Sequence, residues 1–194
     1  MRVTKDYMER YALLIMIACY DQKLSPLLDG KNENPDWQSE SLGIGLEITE
    51  ALAADDGRIR SVINQYFGRG LSGNYIKNQI ETRFPEYAEM VNVVEDTACF
   101  SQSGDMGPKI ERVIQAIAEK TDKLNDHYQQ LAQNWLFVFA PDLFSDYDLP
   151  EVSGEWARRT TQYSKQFDKV FLLAIDRLFV LTSEGLERDI PIFP

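Results

Sequence analysis

The stretch that most restricts the fold is a short apolar run that follows a long amphipathic pattern. The run NWLFVFAP, from Asn134 to Pro141, is continuous rather than alternating, which is typical of a strand buried on both faces. In the residues before it, from Lys109 to about Leu131, apolar side chains recur at helical spacing. The sequence therefore predicts a helix that leads into a central strand of a covered sheet.

The rest of the chain alternates between helical and strand patterns. The order of predicted elements is helix, strands, helix, strand, helix, strands, which indicates an α/β domain with a mixed sheet. The predicted elements outside the central strand are a helix over 1–23 with Thr4 as its N-cap, a loop over 25–34, a strand over 42–49, a helix over 150–167, two strands around Asp176 and an edge segment over 188–194.

Length and composition limit the organisation of the chain. Its 194 residues suit a single domain, 1–194, with a mostly helical insertion at about 55–108. There is no run of about 18 apolar residues, so no transmembrane helix is predicted. The early apolar run YALLIMIACY is typical of a buried helix rather than a signal peptide, and two cysteines are too few for a disulfide framework. We therefore expect a cytoplasmic protein.

The net charge of −11 restricts the partners. Proteins that hold nucleic acid through its phosphates usually carry a basic patch, and the overall field of this chain repels nucleic acid. An acidic balance suits solubility, a metal site or a basic protein partner.

A pair of carboxylates is the strongest candidate site. In the segment from Leu42 to Thr49, apolar residues alternate with Gly43, Gly45, Glu47 and Thr49. If the segment 36–39 pairs antiparallel with it across a two-residue turn, with Ser39 opposite Leu42, Asp36 and Glu47 are diagonal neighbours about 7–8 Å apart on one face. Two such carboxylates can share a divalent cation, and the glycines would let a ligand backbone approach. A slip of one residue would place the carboxylates on opposite faces.

The order Pro-Asp, hairpin, GLEIT resembles the PD-(D/E)XK nuclease superfamily over roughly 1–50 and 109–182. That resemblance implies a three-layer, restriction-endonuclease-like core, in which a mixed central sheet is flanked by helices. It also implies that Mg²⁺ or Mn²⁺ is held by Asp36, Glu47 and the carbonyl of Ile48, with Glu9 as an additional acidic residue.

The sequence departs from this family at one position. Thr49 stands where the family has a lysine that aligns or activates the attacking water. A threonine can position water but brings no positive charge to a phosphate. The lysine can be supplied from another element, and Lys109, Lys120 and Lys123 on the later helix are the candidates.

Three functions follow from these patterns. The first is a magnesium-dependent nuclease acting on nucleic acid. The second is a catalytically inactive, nuclease-like binding protein, such as an acidic immunity protein that neutralises a basic toxin; the net charge and the missing lysine favour it. The third is a nucleotide-binding enzyme that uses GRGLSG at Gly68–Gly73 with Glu95 further on, although the preceding residues are typical of a helix rather than the required strand. His127 is the only histidine, which excludes histidine-rich zinc sites.

Overall fold

A mixed six-stranded sheet is the centre of the larger of two structural units. The computed structural model describes residues 5–51, 66, 70–85, 88, 91–100, 109–128, 131–140, 144–145, 147–175 and 177–192. The larger unit comprises Val3–Ala51 and Lys109–Pro194, and the smaller one comprises Met1–Arg2 and Leu52–Pro108. The smaller unit covers the segment in which we predict an insertion.

The strands of the sheet are β1 (Trp37–Ser39), β2 (Ile44–Glu50), β5 (Gln133–Ala140), β6 (Lys169–Ala174), β7 (Arg177–Thr182) and β8 (Gly185–Pro191). They lie side by side in the order β1-β2-β5-β6-β7-β8. Strands β2, β5 and β6 are parallel, and the remaining neighbours pair antiparallel. The helices of the larger unit are α1 (Lys5–Ile15), α3 (Lys109–Asp126) and α4 (Asp148–Thr160).

Strand β5 lies between two parallel neighbours and is buried on both faces, which confirms the prediction from its apolar run. Leu136 and Val138 join one hydrophobic cluster, and Trp135 and Phe137 join the other. The first cluster includes residues of α3 and α4 such as Ile117. The second includes residues of α1 and of the two short helical segments that follow it in the chain. The predicted α/β class with a mixed sheet is therefore confirmed.

The N-terminal region differs from the prediction. The α-helix ends at Ile15 and continues as a π-helical segment, Met16–Tyr20, rather than running to residue 23. A 3-10 helix, Gln22–Asp29, occupies part of the predicted loop. Asp21 accepts a hydrogen bond from the backbone N–H of Lys23, and Pro26 removes a donor that a continuing α-helix would need. Thr4, the predicted N-cap, lies outside the described residues.

The smaller unit contains helix α2 (Gly73–Arg83) and a hairpin of β3 (Val91–Val94) and β4 (Thr97–Phe100). The hairpin is formed by a segment whose pattern fits helix and strand equally well. Its turn uses two residues with positive φ, Glu95 and Asp96. Most of the residues just before the glycine-rich segment, whose pattern is typical of a helix, lie outside the described residues. Within the described ranges, no helix is long and apolar enough to cross a membrane.

Candidate functional site

The hairpin of β1 and β2 brings the predicted carboxylate pair together. Trp37 pairs with Leu46 and Ser39 with Ile44, so the register, continued by one residue, places Asp36 opposite Glu47. The prediction that Ser39 faces Leu42 is wrong by two residues. A shift of two keeps both carboxylates on one face and replaces a diagonal pair by a directly opposed one, with Cα atoms about 4.5–5.5 Å apart.

The register error comes from the turn. The predicted two-residue turn at Glu40-Ser41 is replaced by a longer one, in which the N–H of Gly43 donates to the carbonyl of Glu40 over 3.1 Å. Gly43 has a φ of 66°, a conformation that glycine adopts without steric cost. The apparent strand residues Leu42 and Gly43 therefore belong to the turn, and β2 begins at Ile44.

Asp36 is 2% exposed and has partners on two sides. The backbone N–H of Ile48 donates to its Oδ2 over 2.8 Å, and Lys5 Nζ from α1 lies 3.3 Å from its Oδ1. Burial, and next the negative charge of Glu47, raise the pKa of Asp36 above its usual range. The two carboxylates therefore repel each other, as groups that share a cation site do.

Glu47 is 3% exposed and forms an ion pair with Lys120 of α3 through its Oε1. Its other oxygen, Oε2, is buried and has no hydrogen-bond partner among the described residues. Tyr128 is a further neighbour: burial, and then the negative charge of Glu47, raise the pKa of that phenol. An unpaired buried carboxylate oxygen is costly, so this atom marks a place where a ligand would stabilise the site.

The predicted additional metal ligands lie at the same edge of the sheet. The N–H of Ile48 donates to Asp36, which directly precedes β1, so it points to the side of β2 on which β1 lies. The N–H and the carbonyl of one strand residue point to the same side, so the carbonyl of Ile48 is also directed there. Glu9 is 4% exposed and lies 3.1 Å from Lys5 and 3.4 Å from Lys31. Glu9 therefore joins the network through Lys5.

The three candidate lysines have different partners and different exposure to solvent. Lys120 reaches Glu47, and only 16% of its side chain is exposed. Lys109 instead pairs with Asp148 at the start of α4, over 2.6 Å, and its Cα is about 16 Å along the helix axis from that of Lys120. Lys123 is exposed, and so is His127. Thr49 is half-buried and follows Glu47 on the same strand face, about 7 Å further along.

Gly45, the glycine within β2, does not have the expected role. A Cβ on Gly45 would lie 2.9 Å from Pro35 Cγ and 3.1 Å from Leu131 Cδ1. The space above Gly45 is therefore filled by the chain itself, and glycine is required for close packing rather than for the approach of a ligand backbone.

Three residues of the network were not predicted: Lys5, Lys31 and Tyr128. The spacing of Lys5 and Glu9, four residues apart on a helix, was a usable signal for the first. Tyr128 falls within the amphipathic pattern of 109–131, where the sequence identifies it only as an apolar position, and no local pattern connects Lys31 with α1.

The residues fit a Mg²⁺ or Mn²⁺ ion. Among the described residues, no group of three or more His, Cys, Asp or Glu side chains is arranged to hold a metal. Mg²⁺ nevertheless commonly binds through one or two carboxylates and keeps several waters. Oε2 of Glu47 is available, and Lys5 can leave Asp36 because 79% of its side chain is exposed.

The glycine-rich segment does not form the start of a dinucleotide site in the part of it that is described. Helix α2 begins at Gly73, the last glycine of the pattern, and Ser72 caps it by accepting from the N–H of Tyr75. Gly68 and Arg69 lie outside the described residues. A Cβ on Gly73 would meet Asp96 O at 2.7 Å, so packing against the β3–β4 turn accounts for this glycine.

Fold and site together define an α/β protein with a buried carboxylate pair and a lysine at the edge of a mixed sheet. Neither a protein-family model, nor a curated protein, nor a solved structure matches the chain.

Proposed function

We propose that this chain is a metal-dependent nuclease of the PD-(D/E)XK type, built on a three-layer restriction-endonuclease-like core. The observation that carries the proposal is the convergence of three charged groups from separate elements. Asp36 lies opposite Glu47 across the hairpin, and Lys120 of α3 is paired with Glu47. Lys120, 73 residues from Glu47 along the chain, would supply the lysine that is missing at Thr49.

Asp36 and Glu47 would hold the cation, with the carbonyl of Ile48 as a further ligand. When bound, Mg²⁺ or Mn²⁺ supplies Lewis-acid stabilisation of charge on the phosphate and lowers the pKa of a bound water. The raised pKa of Asp36 supports a cation site, since a positive charge between two mutually repelling carboxylates relieves their repulsion. The N–H of Ile48 fixes the Asp36 carboxylate.

Lys120 would provide the positive charge near the scissile phosphate. An ammonium group on a flexible stem is a compact charge with three donors, suited to a phosphate oxygen or an attacking water. Its ion pair with Glu47 holds it at the site, and Tyr128 packs on the same carboxylate. Thr49, next along the strand face, is suited to hydrogen-bonding a water.

The test is cleavage of DNA and RNA, single- and double-stranded, with Mg²⁺ or Mn²⁺. Asp36→Ala and Glu47→Ala are each expected to reduce the rate about 100-fold or more, because the cation contributes several kcal/mol to the transition state. Lys120→Met should reduce it as well, whereas Lys123→Met, an exposed lysine on the same helix, is the matched control. Circular dichroism checks that each variant is folded. Absence of cleavage with every substrate, or cleavage that survives both alanine variants, would refute the nuclease proposal.

A second candidate function is binding of a basic protein by an inactive form of this fold. Two observations favour it: Lys5 and Lys120 already neutralise the carboxylates, and the net charge is −11. A basic toxin encoded beside this protein should then bind with an affinity that falls steeply with salt, and Asp36→Ala should leave that affinity unchanged. Cleavage by the wild-type protein alone would decide against this candidate.

A further inference from the structure

Lys5 joins two buried carboxylates while its own side chain lies largely in solvent. Its Nζ is 3.1 Å from Oε1 of Glu9 and 3.3 Å from Oδ1 of Asp36. The side chains of Glu9 and Asp36 are 5% and 3% exposed, against 79% for that of Lys5. A mobile ammonium group therefore occupies a place where anionic oxygens from two separate elements come together.

The charges of this network cancel without a metal. It contains three buried carboxylates and three lysines that pair with them, namely Glu9, Asp36, Glu47, Lys5, Lys31 and Lys120. A divalent cation at Asp36 and Glu47 would add two positive charges to a place that is shielded from water. Excess charge is costly there, so the binding of the cation favours the departure of a lysine.

Exposure and partners select Lys5 as the lysine that departs. Lys120 is 16% exposed, and its departure would leave the buried carboxylate of Glu47 without its counter-ion. Lys31 pairs with Glu9 and with the exposed Asp6, rather than with Asp36. Lys5 can exchange its contacts for water at little cost, since an ion pair with a solvated partner contributes little to stability.

A lysine on Asp36 competes directly with a metal. The N–H of Ile48 donates to Oδ2 of Asp36, whereas Lys5 contacts Oδ1, the oxygen that faces away from this backbone donor. Mg²⁺ and Mn²⁺ bind through carboxylate oxygens, so the cation would need the oxygen that Lys5 contacts. The cation can also use the unpaired Oε2 of Glu47 and carries twice the charge of a lysine, which allows it to prevail.

We propose that Lys5 is a built-in counter-ion, which neutralises Asp36 in the metal-free protein and is displaced from it when a divalent cation binds. The proposal rests on the cation site of the proposed function and specifies how that site is regulated. Because Lys5 is tethered beside Asp36, the site fills only above the cation concentration at which the metal prevails over the lysine. Removal of the charge of Lys5 lowers this threshold.

The first experiment measures Mn²⁺ binding directly, without nucleic acid. The electron paramagnetic resonance signal of free Mn²⁺ is titrated with wild type and variants at about 150 mM salt. Lys5→Met should bind Mn²⁺ about 5-fold more tightly than wild type, the effect of losing a competing ion pair at the upper end of the range for exposed pairs. Lys5→Arg keeps the charge and should not tighten binding. Lys31→Met is the matched control, because it removes an equal charge that contacts Glu9 rather than Asp36, and it should change the affinity about 2-fold or less.

The second experiment locates the lysine in the wild-type protein, so it does not depend on the folding of a variant. In a crystal structure with Mn²⁺, anomalous scattering should place the metal on Asp36 and Glu47. The Nζ of Lys5 should then lie more than about 4 Å from Oδ1 of Asp36, beyond ion-pair distance. A lysine with only a structural role would keep its present contact of 3.3 Å.

Four results would overturn the proposal: Mn²⁺ binding by Lys5→Met that is no tighter than by wild type, equal tightening by Lys31→Met, a Lys5 that stays on Asp36 with Mn²⁺ bound, or no Mn²⁺ binding by either wild type or Lys5→Met. Displacement of Lys5 by Mn²⁺ in a protein that cleaves no nucleic acid would refute the nuclease proposal and support the role of Lys5. Metal-dependent cleavage by a protein in which Lys5 stays on Asp36 would do the reverse.

Discussion

Removal of the positive charge of Lys120 should destabilise the fold by an amount that reports the burial of Glu47. The side chains of Lys120 and Glu47 are 16% and 4% exposed, so Lys120→Met leaves a carboxylate buried without its cation. Breaking a buried pair costs about 3–5 kcal/mol, and we expect about 2–4 kcal/mol here because Lys120 retains some contact with solvent. With a urea m-value of about 2 kcal/mol/M, the midpoint should fall by about 1–2 M.

The assay is urea unfolding of wild type, Lys120→Met, Glu47→Gln and the double variant, at constant pH and salt. The double variant removes both charges, so it should be more stable than the sum of the single changes predicts, with a coupling of about 1.5–3 kcal/mol. Lys109→Met is the comparison on the same helix. The side chains of Lys109 and Asp148 are more exposed, at 33% and 17%, so the loss of their ion pair should lower the free energy of unfolding by only about 0–1 kcal/mol.

Two results would refute this reasoning. One is a Lys120→Met variant no less stable than Lys109→Met, which would mean that water reaches Glu47 freely. The other is additivity of Lys120→Met and Glu47→Gln, which would mean that the two side chains do not interact in solution.

The remaining predictions concern a glycine pair and the pH dependence of Asp36. Gly45→Ala should cost about 1–3 kcal/mol, since its Cβ would meet Pro35 and Leu131, whereas Gly154→Ala in the exposed middle of α4, with nothing within 4 Å, should gain about 0.5–1 kcal/mol in the same urea assay. Equal effects of the two alanines would contradict the packing seen at Gly45. Because the pKa of Asp36 is raised above its ordinary value of 3.8, the native state binds that proton more tightly than the unfolded chain does, and stability is lost as the pH rises from 3.8 through the native pKa. Asp36→Asn should therefore gain stability relative to wild type across that pH window, and parallel pH profiles of the two proteins would exclude this assignment.

The sequence by itself determined the features that depend on local burial. The apolar run at 134–141 predicts a doubly buried strand wherever it is placed, and β5 has this position between two parallel neighbours. The alternation in 42–49 likewise separates the core face of β2, with Leu46, from the face with Glu47. Because side chains on a strand alternate with a period of two, Asp36 and Glu47 remained on one face although the predicted register was wrong by two residues.

The tertiary structure decided which groups complete the site. Lys109, Lys120 and Lys123 share one helix and one residue type, and only the packing of α3 on the sheet selects Lys120. Lys5 and Tyr128 reach the carboxylates from the two separate segments of sequence that form the larger unit. The hairpin register depended on the backbone conformation of a single glycine, Gly43. Such contacts join residues far apart in the chain, and their energies arise only once the elements are packed, so no local pattern of residues encodes them.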